Sequence, residues 1–373
     1  MRSEPQRNSA CLAARRIPGR AVGEARGGRV PGSHRRCLGG APRRSLAIAV
    51  ATTLLWAGCM EGPDAPGRGR ESGPEGAGAV TFERGDHQIR VKVGGEHFTT
   101  LHYSERWDKP FLHPIRTASG LTVSRGYPVD PAEGEVQDHD WHRGIWYGHG
   151  DINGHDFWRE LGRGRTGTIV PVAEPILEEG EGRGAVEVLF GFRTAGGDTI
   201  GTVSQRYEFC RVGHAIRIDA VLRFAADREQ DLRFGDTEDG GFAMRLARPF
   251  RQEFGAVLLN SEGERGTESI WGRAARWVDY SAVVDGTPAG VAILDHPSNL
   301  RHPTRWHARG YSLCSANPFG LRDFTGSAGE DGSHVVPSGE ALTLHYRLVV
   351  HEGATKPETI ERWFDEFASE PLG

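Results

Sequence analysis

Long apolar runs are scarce in this 373-residue chain, and the one at residues 46–56 is too short to stay in a bilayer as a helix. Cysteine is scarce too: Cys11, Cys37, Cys59, Cys210 and Cys314 are the whole set. No C-x-x-C pair exists, which excludes the common zinc-ribbon frameworks. Neither the H-E-x-x-H spacing of a metalloprotease helix nor the spaced oxygens of an EF-hand loop occur. No repeat at a propeller or solenoid period is visible. Positive charge is short beyond residue 58. The whole chain carries −5, and its first 58 residues, with eleven arginines against Glu4 and Glu24, carry +9. The remainder is therefore near −14, which argues against a nucleic-acid partner.

What is present begins with an address. Arg43-Arg44-Ser45, the apolar run at 46–56 and Ala57-Gly58-Cys59 follow the order of a positive n-region, a short h-region and a small-residue cleavage site. Ala-Gly-Cys resembles a bacterial lipobox, with Cys59 as the lipidated first residue of the mature protein, and Arg43-Arg44 loosely resembles a twin-arginine signal. Residues 1–58 thus read as a basic lead plus export signal, and any membrane association as coming through the lipid anchor. Residues 59–78 are Gly, Pro and charge, the composition of a flexible linker.

From residue 79 to 373 the pattern predicts one β domain. Alternating segments at 88–93, 97–103, 120–123, 145–147, 167–172, 185–192, 199–209, 215–224, 242–246, 276–284, 290–294, 311–314 and 341–350 are separated by Gly, Asp-Gly or Pro turns. Helical periodicity is confined to the end, where Ile360, Trp363, Phe364 and Phe367 share one face after Lys356-Pro357. Many alternating strands must bury one face against another sheet. The expected fold is an all-β, large antiparallel sandwich, a supersandwich of the galactose-mutarotase-like kind, with a short C-terminal helix. A jelly roll or cupin-like barrel is the runner-up. Cys210 and Cys314 lie in strand-like contexts, as a disulfide or as two buried thiols.

Residues 138–158 are the densest chemical window, holding four of the 16 histidines with carboxylates, an arginine and indoles. Such groups are costly to bury unpaired, so their concentration marks a site. Period two places Arg143, Ile145, Tyr147, His149 and Asp151 on one face, and His142, Gly144, Trp146, Gly148 and Gly150 on the other. His149 and Asp151 then form a carboxylate-oriented imidazole pair. Upstream, Lys109-Pro110-Phe111-Leu112-His113-Pro114-Ile115-Arg116 fixes His113 between prolines, with Arg116 as a clamp for an anionic or polyhydroxy ligand. Downstream, Asp236-Thr237-Glu238-Asp239-Gly240-Gly241 crowds three carboxylates at a strand mouth, which raises the proton affinity of one of them. Asp295-His296 and Trp306 add a third His/carboxylate pair and a ring for stacking.

These motifs, together with His142-Arg143-Gly144-Ile145-Trp146-Tyr147-Gly148-His149-Gly150-Asp151 and Asn317-Pro318-Phe319-Gly320, resemble over most of residues 80–355 a bacterial family labelled methane oxygenase PmoA, otherwise a domain of unknown function. The membrane subunit behind that label is built of transmembrane helices, so neither copper nor methane oxidation is carried over. The resemblance implies an exported protein of carbohydrate-degrading bacteria and supplies no catalytic residues.

The leading expectation is an exported, lipid-anchored carbohydrate-active protein doing acid/base chemistry on a sugar or glycoside. His113, His149, Asp151 and Glu238 are its catalytic candidates. Arg116, Arg143, Trp146, His296 and Trp306 are its binding candidates. No cofactor is named by the motifs, and a divalent metal is the one candidate. The alternatives are a metal-dependent hydrolase or oxygenase, its divalent ion held by His142, His149 and Asp151, and a non-catalytic glycan-binding lipoprotein.

Overall fold

The computed structural model describes residues 78–162 and 164–371. The lead, Cys59 and the linker expected at 59–78 lie outside the described residues, Gly78 excepted.

The longest hairpin shows how the sequence makes this architecture. Thr199–Val212 turns through Gly213-His214 into Ala215–Ala226, with Val212 opposite Ala215. Along the pair Val203, Tyr207, Phe209, Ile216, Ile218, Leu222 and Phe224 are buried, while Ser204, Arg206, Arg217 and Arg223 take the other side. Period two in the residues becomes a buried face and an outer face. Each fully buried aromatic or aliphatic side chain contributes about 2 kcal/mol.

Two nine-stranded antiparallel sheets result. The first runs, in spatial order, Arg305–Arg309, Leu313–Asn317, Gly240–Arg245, Ile145–His149, Phe111–Leu112, Glu96–His102, Gln88–Val93, Ala79–Gly85 and Gly180–Glu181. The second runs Val257–Asn260, Trp277–Val284, Thr287–Asp295, Ala341–Glu352, Ala215–Ala226, Thr199–Val212, Arg183–Arg193 and Thr168–Pro171, with Ile176–Glu178 also on Arg183–Arg193. One apolar core, from Val80, Ile145 and Tyr147 on one sheet to Phe224, Tyr280 and Tyr346 on the other, joins them.

The C-terminal helix, Pro357–Ser369, begins with Pro at its first position and lays Ile360, Phe364 and Phe367 on the outer face of the second sheet, over Trp277, Ala292, Leu294 and Val349. Glu361 fixes it by accepting from the Trp277 indole at 2.8 Å and pairing with Arg276.

The all-β sandwich with a short C-terminal helix is therefore as expected. The expected strand at 120–123 is reduced to isolated bridges, including Arg116 with Thr122. Arg305–Arg309 and Val257–Asn260 are strands that apolar alternation did not reveal. Cys210 and Cys314 are both free, in different sheets.

Candidate functional site

Register alone assembles a row of outward side chains across the first sheet. His307 pairs with Ser315, Ser315 with Ala243, Ala243 with Trp146, Trp146 with Phe111, and Phe111 with His102. The neighbouring row holds Arg309, Leu313 and Arg245. This face is polar, aromatic and cationic. Its opposite side, with Ile145, Tyr147, Phe242 and Met244, is core.

Loops thicken the face. Tyr311, His139, His142 and Trp146 stack as four rings in sequence, with centroids 5.6, 4.9 and 5.1 Å apart. Beneath them Arg245 lies under the Tyr311 ring and donates to His142 Nδ1 at 3.2 Å. Arg245 shares Asp138 with the buried Arg125, at 3.0 and 2.7 Å. Burial pushes the Asp138 carboxyl up, but Arg245 and Arg125 together outweigh it and hold it below the usual range. A second cluster repeats the design. Lys109 and Arg143, both buried, share Glu160, and Arg143 lies over Trp107 and Phe111.

At the open end of the row stand Glu238, Asp239, His307 and Arg309. Arg309 donates to both Glu238 carboxylate oxygens, at 3.1 and 2.9 Å, and through Nε to His307 Nε2 at 2.8 Å. An arginine only donates, so His307 Nε2 carries the lone pair, and Nδ1–H donates to the Glu238 carbonyl at 2.8 Å. Burial, with Arg309 and His139 adding to it, pushes His307 down to about 3, so this imidazole is neutral at physiological pH. Burial raises Glu238 more than Arg309 lowers it, and the Asp239 and Asp323 charges push the same way. Asp239 is also raised by burial although Arg159 pairs with it. Half-buried Trp271, under Arg309, and Tyr311 and Trp141 at the ring stack form an aromatic rim.

Glu238, Asp239 and His307 offer ligand atoms within 4.8 Å of one another, a spacing that could hold a cation. Both carboxylates and the imidazole lone pair are already engaged by Arg309 and Arg159. The arginines supply the positive charge that a metal otherwise would.

The residues expected from sequence scatter. Glu238 stands at the mouth of the Gly240–Arg245 strand, and Arg143 and Trp146 belong to the outer face. Trp146 is fully buried in the ring stack. His142 is there too, while His149 lies across the sheet from it, between Phe234 and Phe319. His149 donates from Nε2 to the Gly235 carbonyl at 2.9 Å, and burial lowers it to about 4. It packs so tightly against Gly240 that a Cβ there would come 2.1 Å from Nδ1. Asp151 accepts from the Gly154 amide within its own turn, and no His149–Asp151 hydrogen bond forms among the described residues. The expected pair is not made because the strand ends at His149, so period two stops before Asp151. His142, His149 and Asp151 do not converge as ligands, because His142 and His149 lie on opposite faces of the sheet and Asp151 lies in the turn beyond the strand. His113 is buried against Ser124 and pushed down to about 3 by burial. Arg116 donates to His97 in a separate cleft of about 300 Å³. His296 packs under Phe367 of the C-terminal helix. Trp306 is in the core, its indole donating to the Ala275 carbonyl at 2.9 Å.

Sequence reasoning gave no role to His307, Arg309, Arg245, Arg125, Arg159 or Tyr311. The alternation in Arg305-Trp306-His307-Ala308-Arg309 was the available signal: it sends Trp306 and Ala308 inward and His307 and Arg309 to the face.

A family model of unknown function, DUF6807, matches residues 88–365. The chain belongs to the DUF6807 family. That match replaces the resemblance to the family labelled methane oxygenase PmoA. The architecture agrees, since the DUF6807 chain is two antiparallel sheets and no helix among its described residues is long and apolar enough to cross a membrane. No curated protein matches it. Among solved structures it is similar to the Slr1438 protein of Synechocystis sp. PCC 6803, at 12% identity and a TM-score of 0.31, over 74% of this chain and 96% of that one. It is also similar to a galactose mutarotase-like protein of Clostridium acetobutylicum, at 10% identity and a TM-score of 0.37, over 74% and 98%. Likeness at that level carries no argument about chemistry.

Proposed function

We propose that this DUF6807 chain is a carbohydrate-active protein that binds a sugar on the outer face of the first sheet and moves protons there. One observation carries the reading. Glu238 is a partly exposed carboxylate whose proton affinity is raised by burial, paired with Arg309, whose guanidinium lies over the half-buried Trp271 ring. Such rings stack on the C–H faces of pyranoses, and a carboxylate whose proton affinity is raised is a stronger general base than an ordinary one.

In this reading Glu238 takes a proton from a sugar hydroxyl and returns it. Arg309, held by neutral His307, fixes the carboxylate and stabilises its charged form. His139, partly exposed beside Asp138, is the donor on the opposite side. Arg143 and Trp146 build the floor beneath the ligand. The other residues expected from sequence have no direct part in it.

The test is a screen of mono- and oligosaccharides for binding, anomer interconversion and bond cleavage. Glu238→Gln is expected to lower turnover about 100-fold or more with binding retained. Equal rates in wild type and variant would remove Glu238 from the chemistry, and binding without turnover in either would leave a glycan-binding protein.

A second reading uses the same cluster. A divalent cation held by Glu238, Asp239 and His307 is favoured by their spacing alone and requires Arg309 and Arg159 to swing away. Elemental analysis of protein purified without added metal decides it, since a substoichiometric content of every divalent metal excludes a resident ion. Export and anchoring through Cys59 belong to the proposal on sequence grounds. Palmitate labelling of the expressed chain that persists in Cys59→Ala would exclude that cysteine as the anchor.

A further inference from the structure

On the other sheet, the Trp277–Val284 and Ala341–Glu352 strands, with the loop that follows the second, carry a hydrogen-bonded chain that the sugar site does not use. His351 is buried on the outer face of the second sheet, opposite Gly290, and Gly290 lies opposite Ser281. A Cβ at Gly290 would come 2.2 Å from His351 Cε1, so glycine makes the room for this ring. His351 Nε2 lies 2.9 Å from Asp279 Oδ1, and Asp279 Oδ2 accepts from the Ser281 hydroxyl. His351 Nδ1 lies 2.8 Å from Thr355 Oγ1.

With the imidazole neutral, the direction of each proton in this chain follows. An ionised carboxylate only accepts, so Nε2 carries the imidazole hydrogen and Nδ1 carries the lone pair. Thr355 must then donate its hydroxyl hydrogen to Nδ1. The result is a hydroxyl aimed at an imidazole base that a buried carboxylate orients, the arrangement that activates a nucleophile. Thr355 and His351 line an open cleft of about 360 Å³, with His214, Lys356, Thr359 and Trp363. Lys356 lines the same cleft, and the Pro357–Ser369 helix begins beside it with Glu358 in its first turn.

We propose that Thr355, His351 and Asp279 form an acyl-transfer site for a small carboxylic ester, separate from the sugar face. Thr355 Oγ1 attacks the ester carbonyl while its proton passes to His351 Nδ1. Collapse of the tetrahedral adduct breaks the ester C–O bond, and the leaving alkoxide takes that proton and departs as the alcohol. Water, deprotonated by the same nitrogen, then releases the acid and restores the hydroxyl. No oxidant or metal enters the balance. Asp279 holds the tautomer and touches no substrate.

The probe is p-nitrophenyl acetate with the full chain, read by nitrophenolate release and by mass mapping of acetylated peptides. Wild type is expected to release nitrophenolate and to carry acetyl on Thr355. Thr355→Val, which keeps the shape and loses the hydroxyl, is expected to lower release about 100-fold or more, and His351→Gln similarly. Thr355→Ser keeps the hydroxyl and guards against a folding artefact, so it is expected to retain activity. Asp279→Asn is expected to lower kcat more than it changes KM, because it permits the other tautomer. Release by Thr355→Val at the wild-type rate, or acetyl mapped only to other residues, would overturn the assignment. Wild type that releases no more nitrophenolate than buffer would overturn it equally.

Discussion

The outer faces of the two sheets start from the same alternation and are finished in opposite ways. On the second sheet the outward residues Trp277, Ala292, Leu294 and Val349 are apolar, and the C-terminal helix covers them. On the first sheet the outward row is His307, Ser315, Ala243, Trp146, Phe111 and His102, thickened by loops that carry Arg125, Asp138, His139 and Arg143. One face gains stability by removing apolar area from water. The other places two pairs of buried cations, each sharing one carboxylate, under a row of rings, an arrangement that costs desolvation. The helix-covered face adds a smaller apolar cluster to the core between the sheets. The loop-covered face buries polar and cationic groups beneath its rings and leaves Glu238, Arg309 and Trp271 partly exposed at its end.

Truncating a ring on each face gives the largest expected contrast. Phe364→Ala, on the buried face of the covering helix, is expected to lower unfolding free energy by about 3 kcal/mol. Tyr311→Ala, a half-buried ring on the open face, is expected to cost about 1 kcal/mol while weakening sugar binding. Equal losses in denaturant melts would erase the distinction between the two faces.

Asp138→Ala comes next, because it leaves the Arg125 and Arg245 guanidiniums buried without their shared carboxylate. A loss of about 3 kcal/mol is expected, and Asp138→Glu should recover part of it. A loss under roughly 0.5 kcal/mol would mean that the carbonyls around Arg125 suffice, and the cluster would not be a structural cost of the face.

The smallest effect is expected from pH. His307 and His113 are held at about 3 and His149 at about 4, against an unfolded value near 6.5. Between those values the unfolded chain binds more protons, so stability is fully present above about 6.5 and is lost as pH falls toward 3. The urea midpoint should therefore be lower at pH 5 than at pH 7.5, and His149→Gln should flatten part of that slope. A midpoint that rises on acidification would contradict the neutral burial of these rings.

Much of the fold was legible because period two is written plainly in Thr199–Val212 and Ala215–Ala226, and the helix in Ile360, Phe364 and Phe367. The window at 138–158 was legible as a site because its residues are costly to bury. Its side was harder. Period two separated His142 and Trp146 from His149 correctly, yet which face meets the second sheet depends on pairing with Gly240–Arg245, which residue type does not record. His149 looks reactive in sequence and is a packed ring in the fold. Trp306 looked like a stacking platform because Arg305–Arg309, with three charged or imidazole residues in five, does not read as a strand. Arg309 and His307 were hidden by that same misreading, and Arg125 and Arg245 by a distance of more than a hundred residues along the chain.

The most direct test is a crystal of the full chain soaked with a sugar that binds in solution. The account predicts a pyranose ring on the outer face of the first sheet, with a hydroxyl within hydrogen-bond reach of the Glu238 carboxylate and a C–H face against Tyr311 or Trp271. A sugar seated at Asp151, or in the cleft beside Arg116, with the Glu238 face empty, would contradict it.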